Sequence, residues 1–382
     1  MACAGPQAWR DGSMTNMTYV GLDVHARSIV AAVARPGREP ARVVSRIASS
    51  IKAIDGLIER LRRDYGGELR FAQEAGPTGY WLHRHLEARG VVSVVVAPSR
   101  TARAPGDKVK TDDRDACKTA EQDRAGALTE VWVGDAAHEA MRDLVRQRSV
   151  AVRALRRERQ QVTSFLLRQG RHWPRQQWTK KHRAWLSQQE FSAIEQRWLW
   201  EEMLAQVGLG EARLARVAGT IEQHVETWAQ APVVAALQSL RGIALINAVV
   251  LAAELGDLRR FASAPGLMAY LGLVPSEHSS GERVHRGPLT KTGNRRARTA
   301  LIEAAWQYRW RAARVGAALA RRRANLPPAV IAIATKADQR LSQRFARLAR
   351  RKLLVVAVAA VARELAGFVW AIGQVVAPAQ RR

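Results

Sequence analysis

Cysteine is nearly absent. The 382 residues contain two, Cys3 and Cys117, which excludes a disulfide framework and a cysteine-based zinc site. Acids are also scarce beside bases, 34 against 61, for a formal net charge of +27. Such an excess repels itself in the folded state and favours a polyanionic partner, DNA or RNA before an anionic membrane surface. The opening stretch MACAGPQAWRDGSMTNM lacks the continuous apolar core of a signal peptide and is expected to be a disordered extension. Long apolar runs are confined to LLVVAVAAVARELAGFVWAIGQVVA, which begins at Leu353, and Arg363 and Glu364 interrupt it. Charge at bilayer depth is costly, so a packed helix is expected there and no membrane partner. With 47% apolar residues, the chain is rich enough for two or three globular domains.

What is present begins with an α/β pattern. TYVGLDV, SIVAAVA and ARVVSRIAS read as three strands, SSIKAIDGLIERLRRDYG as a helix, LRFAQEAG as a strand, GYWLHRHLEARG as a helix and VVSVVVAP as a β-branched strand. Three hairpin-like strands followed by alternating helix and strand suit an RNase H-like sheet. From Asp135 to Arg168 the pattern becomes a long arginine-rich helix, a candidate for a coiled coil, subunit contact or RNA binding. A segment with Trp173, Trp178, Trp185, Trp198 and Trp200 follows. These rings are either helix-packing residues or stacking platforms for bases. Beyond Ala231 several short helices are expected, with a tight connection at Gly242 that is a weak sign of a helix-hairpin-helix. The divisions predicted are a disordered extension over 1–17, an α/β domain over 18–134, a helical or coiled-coil region over 135–229, a mostly α-helical C-terminal domain over 230–376 and a tail over 377–382.

Four acids stand out. Asp23 closes the first strand in GLDVH, and Glu74 has the same setting in QEAG. A carboxylate at the edge of a core requires a partner. Asp112 and Asp115, in KTDDRDA, are three apart and share a helix face, while Asp113 falls off it. The four could hold Mg2+, which takes oxygen ligands, and a metal pair can activate an attacking oxygen and stabilise a leaving one. They could equally be turn caps and an acidic first helical turn that suits the helix dipole without any metal. Residue pattern alone leaves both readings open.

GLDVH, QEAG and KTDDRDA, in that order, resemble the first domain of the insertion sequence 110 family of transposases, enzymes with DEDD acids on a RuvC-like RNase H fold. The stretch from LQSLRG to KTGNRRAR and the late KLLVVAVAAVARELAGFVWAI resemble the family's C-terminal transposase domain, so the likeness runs from Thr18 to about Val376. It implies an α/β RuvC-like domain, a long helical region and a mostly helical C-terminal domain. It also implies that Asp23, Glu74, Asp112 and Asp115 are catalytic metal ligands for Mg2+, with Mn2+ as a substitute, and that Ser280, before Gly281 in the SSG element, is a catalytic nucleophile. The implied reaction cuts and rejoins donor and target DNA through a serine-phosphate intermediate. A structured guide RNA from the same element comes with it. Cutting and exchanging two DNA partners calls for a homodimer or homotetramer, and a cytoplasmic, nucleoid-associated location is expected.

The residues around these groups fit that chemistry. A serine hydroxyl is a weak nucleophile and requires activation. Lys108, Lys110 and Arg114 flank Asp112 and Asp115 and are expected to meet phosphate. Arg283, His285, Arg286, Lys291, Arg295, Arg296 and Arg298 crowd Ser280 and suit phosphate. His278 and His285 could move protons or bind phosphate, and neither has a zinc-site spacing. Taken alone, Ser280 reads as a turn residue beside a glycine. Tyr270 and Tyr308 lie in packed helical patterns, which disfavours a tyrosine nucleophile. The chain departs from the family's usual pattern at Arg241, Gly242, Ile243 and Ala244, at Asp113, and at Pro288 and Leu289. Two other functions remain: a metal-dependent junction nuclease in which water attacks, and a non-catalytic nucleic-acid-binding protein.

Overall fold

The computed structural model describes residues 17–98, 111–280, 283, 285–310, 313 and 315–378. Lys108, Lys110, Gly281 and most of the expected N-terminal extension lie outside them. The chain divides into two compact units, with the break between Val133 and Gly134.

In the N-terminal unit, strands β1 (Met17–Val24), β2 (Ser28–Ala34), β3 (Arg42–Ala48), β4 (Glu68–Glu74) and β5 (Val92–Val96) form one sheet in the order β3-β2-β1-β4-β5. The first three pair antiparallel, and β4 and β5 extend the sheet in parallel from β1. This is the RNase H-like arrangement. Alternation sorts β1 between two faces. Val20 and Leu22 join Leu57, Ile58 and Leu61 of α1 (Ile51–Tyr65) and Leu82 and Leu86 of α2 (Trp81–Ala88) in one core. Tyr19, Gly21 and Asp23 turn to the opposite face, where α3 (Asp112–Arg124) lies, with Ala120 against Tyr19 and Ala116 against Val30 and Ala32.

The α3 helix sits on β1 at unusually short range. A Cβ on Gly21 would lie 2.1 Å from the carbonyl oxygen of Ala116 and 2.5 Å from the amide nitrogen of Ala120. Both are backbone atoms, which cannot turn aside as a side chain can. Polar clamps then fix the helix along the strand. The Nε–H of Arg70 donates to both Asp123 carboxylate oxygens, at 3.0 and 3.1 Å, and Glu121 Oε1 accepts from the Ala41 amide at 2.8 Å. Arg124 donates to the carbonyls of Arg35 and Glu39 at 3.0 and 2.7 Å.

Among the described residues the second unit is helical apart from one hairpin. Helix α4 (Ala136–Arg168) pairs with α6 (Ile194–Val225), and α5 (Lys180–Ser187) lies in the connection. At their far end Leu155, Val162, Phe165, Leu166, Phe191, Trp200 and Val207 form a local core. There Trp200 packs face to face with Phe165 at 5.9 Å. Trp173, Trp178 and Trp185 gather around the buried His182, and Arg159 lies 4.9 Å over the Trp178 ring. Packing therefore accounts for four of the five tryptophans, and Trp198 is 66% exposed.

Helices α7 (Ala231–Leu237), α8 (Leu245–Leu255), α9 (Ala264–Tyr270), α10 (Arg295–Ala305), α11 (Ala317–Arg323), α12 (Pro328–Ala349) and α13 (Leu354–Val375) make up the rest, α11 contributing Leu319 to the buried residues and the others, with the start of α4, sharing the largest core. Helix α13 is long and apolar enough to cross a membrane, yet Val358, Val361, Leu365, Val369 and Ile372 belong to that core, and Glu364 pairs with Arg340 and Arg344 of α12. The connection at Gly242 is tied inward. The Ile243 amide donates to Leu240, and Arg322 and Arg323 donate to the carbonyls of Ile243 and Ser239. Arg241 is buried beside Asp338 at 3.5 Å.

Replacing Gly21 by Ala is expected to cost the N-terminal unit about 1–3 kcal/mol through overpacking. Gly56→Ala, on an open face of α1 with nothing within 4 Å, is expected to stabilise it by about 0.5–1 kcal/mol. Urea unfolding of the two variants tests the contrast.

Candidate metal centre and serine hairpin

Asp23 ends β1 at the edge of the core, and the β1–β4 register stops at Leu22 opposite Gln73. Asp23 and Glu74 are therefore next to each other at the ends of adjacent parallel strands, on the face that α3 covers. Helix α3 starts there. Its cap is Thr111, whose side chain accepts from the Arg114 amide, and its first turn carries Asp112, Asp113 and Asp115.

The tightest convergence among the described residues is Asp23, His25 and Asp112, whose ligand atoms lie within 4.8 Å of one another. An ionised carboxylate only accepts, so the Nε2–H of His25 donates to Asp23 Oδ2 at 3.1 Å, and the same nitrogen is 3.5 Å from Asp112 Oδ1. Burial pushes the Asp23 carboxyl above its ordinary range. His25 pulls it back, and the charges of Asp112 and Asp115 push it up again. A half-buried acid crowded by two others is the setting that a cation relieves.

These oxygens suit a hard divalent ion, whereas the imidazole suits a softer one. His25 is better placed to orient Asp23 than to coordinate Mg2+ itself. Sequence reading missed His25, although it stands two residues after Asp23 in GLDVH. Asp115 acts on Asp23 through its charge, and Glu74 is exposed beside it in register. Asp113 leaves the cluster as its position on the helix requires, and its Oδ1 accepts from Arg46 of β3 at 2.5 Å.

Ser280 stands in the second unit, on the hairpin of β6 (Pro275–Glu277) and β7 (Arg286–Leu289). It exchanges two backbone hydrogen bonds with Arg283, each 3.2 Å, and both residues are exposed. The foot of the hairpin is firmly held. Gly293, at φ +69°, lets that segment run against Tyr270, where a Cβ would meet the Tyr270 carbonyl at 1.9 Å. Asn294 caps α10 and donates to Glu254 Oε2 at 2.8 Å. Arg146 grips both oxygens of Glu254, at 2.9 and 3.0 Å. Burial pushes the Glu254 carboxyl up, but hydrogen bonds from Arg146 and Asn294 and the charges of Arg146 and Arg296 bring it below its ordinary range.

The basic residues near Ser280 divide into two kinds. Arg283, His285, Arg286, Lys291, Arg295 and Arg296 are exposed, with Arg286 3.7 Å from Glu277 and Lys291 at a left-handed φ of 54°. Arg298 differs from the expected phosphate contact. It is buried, and its Nη1 donates to the carbonyls of Leu271 and Thr292 at 2.8 Å each, which fixes the hairpin foot.

Residues 20–169 match a transposase family model named for the DEDD acids of IS110, and residues 234–320 match that of the Transposase IS116/IS110/IS902 family. A protein of Sinorhizobium fredii that bears a provisional transposase name is 44% identical over 93% of this chain and 88% of its own length. The transposase for insertion sequence element IS1533 of Leptospira borgpetersenii is 29% identical over 89% of this chain and all of its own.

Asp23→Asn and Asp112→Asn are each expected to weaken Mn2+ binding at least tenfold, the smallest loss typical of even an outer contact, and Asp113→Asn, at a residue that faces Arg46 instead, to change it by less than about twofold. Calorimetric titration reads both. Glu254 should contribute stability that is whole above its unfolded range near pH 4.3 and is lost as pH falls through its lowered native value. Glu254→Gln should cost about 3 kcal/mol near neutral pH and flatten the acid limb of a stability–pH curve.

Proposed function

The chain belongs to the IS116/IS110/IS902 family of transposases, and on that premise we propose that it mobilises its own element through a covalent serine–DNA intermediate. As a transposase it recombines DNA. Ser280 Oγ attacks a DNA phosphate, a new Oγ–P bond forms, and the bond from phosphorus to the leaving deoxyribose oxygen breaks. Attack by another strand's hydroxyl then frees the serine and joins the new DNA.

The observation that carries this reading is the placement of Ser280: exposed, hydrogen-bonded to Arg283, on a rigidly footed hairpin surrounded by cations. Arg283, Arg286, Lys291, Arg295 and Arg296 bind the phosphates on either side of the cut. Asp23, Asp112, Asp115 and Glu74 hold Mg2+, with Mn2+ as a substitute, and His25 orients Asp23. An ion held by these carboxylates would supply Lewis-acid stabilisation of the charge that develops in phosphoryl transfer. Donor and target DNA are the substrates, and a net charge of +27 leaves capacity for a structured guide RNA as well. Cutting two DNA partners and exchanging their strands calls for two or four copies of the chain, acting at the nucleoid in the cytoplasm.

In a denaturing gel of full-length protein with labelled element-end DNA, a protein–DNA species should form and Ser280→Ala should abolish it. Ser279→Ala should retain it. Cleavage without such a species would instead point to water as the nucleophile, with the acids sufficient for a junction nuclease.

A further inference from the structure

The serine hairpin carries two histidines that the chemistry above does not use. Their position follows from the strand register. Glu277 pairs with Arg286. One step along, the His278 amide donates to the His285 carbonyl at 2.9 Å, and two further on Ser280 and Arg283 exchange hydrogen bonds. Side chains alternate between the faces of a ladder. The contacts on one face are visible: Ser279 Oγ donates to Glu277 Oε1 at 2.9 Å, and Arg286 approaches Glu277 Oε2 at 3.7 Å. Ser279 Oγ also accepts from the His285 amide at 3.3 Å, and continuing the alternation past the ends of β6 and β7 assigns His278, Ser280, Arg283 and His285 to the other face. All four are exposed. Directly opposed Cβ atoms in such a ladder lie about 5 Å apart and diagonal or same-strand neighbours about 7 Å, within reach of an imidazole.

We propose that His278 and His285 are the proton-transfer residues of the serine reaction; this rests on Ser280 being the nucleophile. His278, on the serine's own strand, takes the Oγ proton as the Oγ–P bond forms. Arg283, facing Ser280, binds a non-bridging phosphate oxygen. His285, beside Arg283, gives its proton to the deoxyribose oxygen as the P–O bond breaks. In rejoining the roles reverse. His285 takes the proton of the incoming hydroxyl, and His278 returns one to the departing Oγ. Both imidazoles end as they began, and nothing is oxidised or reduced. Imidazole suits this cycle because it accepts and donates protons near neutral pH. A face carrying only Ser280 and Arg283 would bind the phosphate without a way to move the proton.

The test uses the full-length protein with its co-purified RNA and a labelled element-end duplex. A second duplex carries sulfur in place of the leaving bridging oxygen, at the position mapped from the wild-type covalent species. A thiolate leaves without a proton. His278→Ala and His285→Ala should each slow covalent capture about 10²–10⁴-fold, with gel-shift affinity nearly unchanged. Sulfur should restore His285→Ala and leave His278→Ala slow. His278→Asn and His285→Asn, with unfolding curves, exclude a folding defect. Near wild-type capture in either alanine variant overturns the inference, as does a loss matched by lost DNA binding or the absence of sulfur rescue at His285. Rescue at His278 would overturn the assignment of roles. Failure of the serine reading looks different: the wild type forms no covalent species, or Ser280→Ala still does.

Discussion

The N-terminal site depends on the approach of two backbones. Helix α3 reaches β1 where Gly21 leaves no side chain between them, and the start of that helix thereby stands beside the end of the strand. Asp23 and Asp112 meet because of this contact. The clamp between Arg70 and Asp123 then resists sliding along the strand, and the contacts of Glu121 and Arg124 hold the helix at the turn between β2 and β3. Steric closeness and polar anchoring act together. The first sets how near the acids come, and the second sets their register. Burial first, and then the charges of Asp112 and Asp115, push the Asp23 carboxyl up, and packing far from the acids sustains that arrangement.

The second unit solves a different problem. It must hold a small exposed hairpin steady on a helical body. A buried carboxylate, Glu254, links the long helix through Arg146 to the cap of α10 through Asn294, while the buried Arg298 gathers two carbonyls from the chain on either side of the hairpin. Charge in this unit thus has two uses. Cations at the foot satisfy backbone and carboxylate oxygens, and Arg283, Arg295 and Arg296 along the hairpin and the start of α10 stand exposed.

Much of the α/β unit was legible because strand alternation and helix spacing are local signals. GLDVH, QEAG and DDRD could be placed on strand ends and a helix start without coordinates. The grouping of Asp23 with Asp112 was legible only as a possibility, since it rests on a contact between segments distant in sequence. His25 was overlooked because an exposed imidazole at a strand end has many ordinary uses. Its meaning comes from Asp112, which the local sequence does not show. Arg298 was misleading in the opposite way. A sequence displays charge but not the carbonyls or carboxylates that enclose it, so a buried structural guanidinium reads like a phosphate ligand. The tryptophans also lost most of their apparent availability once Phe165, Phe191 and His182 were seen around them.

The 33 residues of α4 give it a length of about 50 Å at 1.5 Å per residue. About a third of the way along it helps to fix the Ser280 hairpin through Arg146, and its far end closes a separate aromatic core. From Arg146 to Arg168 the helix runs about 33 Å, close to one turn of duplex DNA at about 34 Å. The helix is thus a ruler: whatever engages its distal aromatic end lies a set distance from the hairpin, and adding or deleting one heptad beyond Arg146 would change that spacing by about 10 Å without altering a residue of the hairpin or its foot.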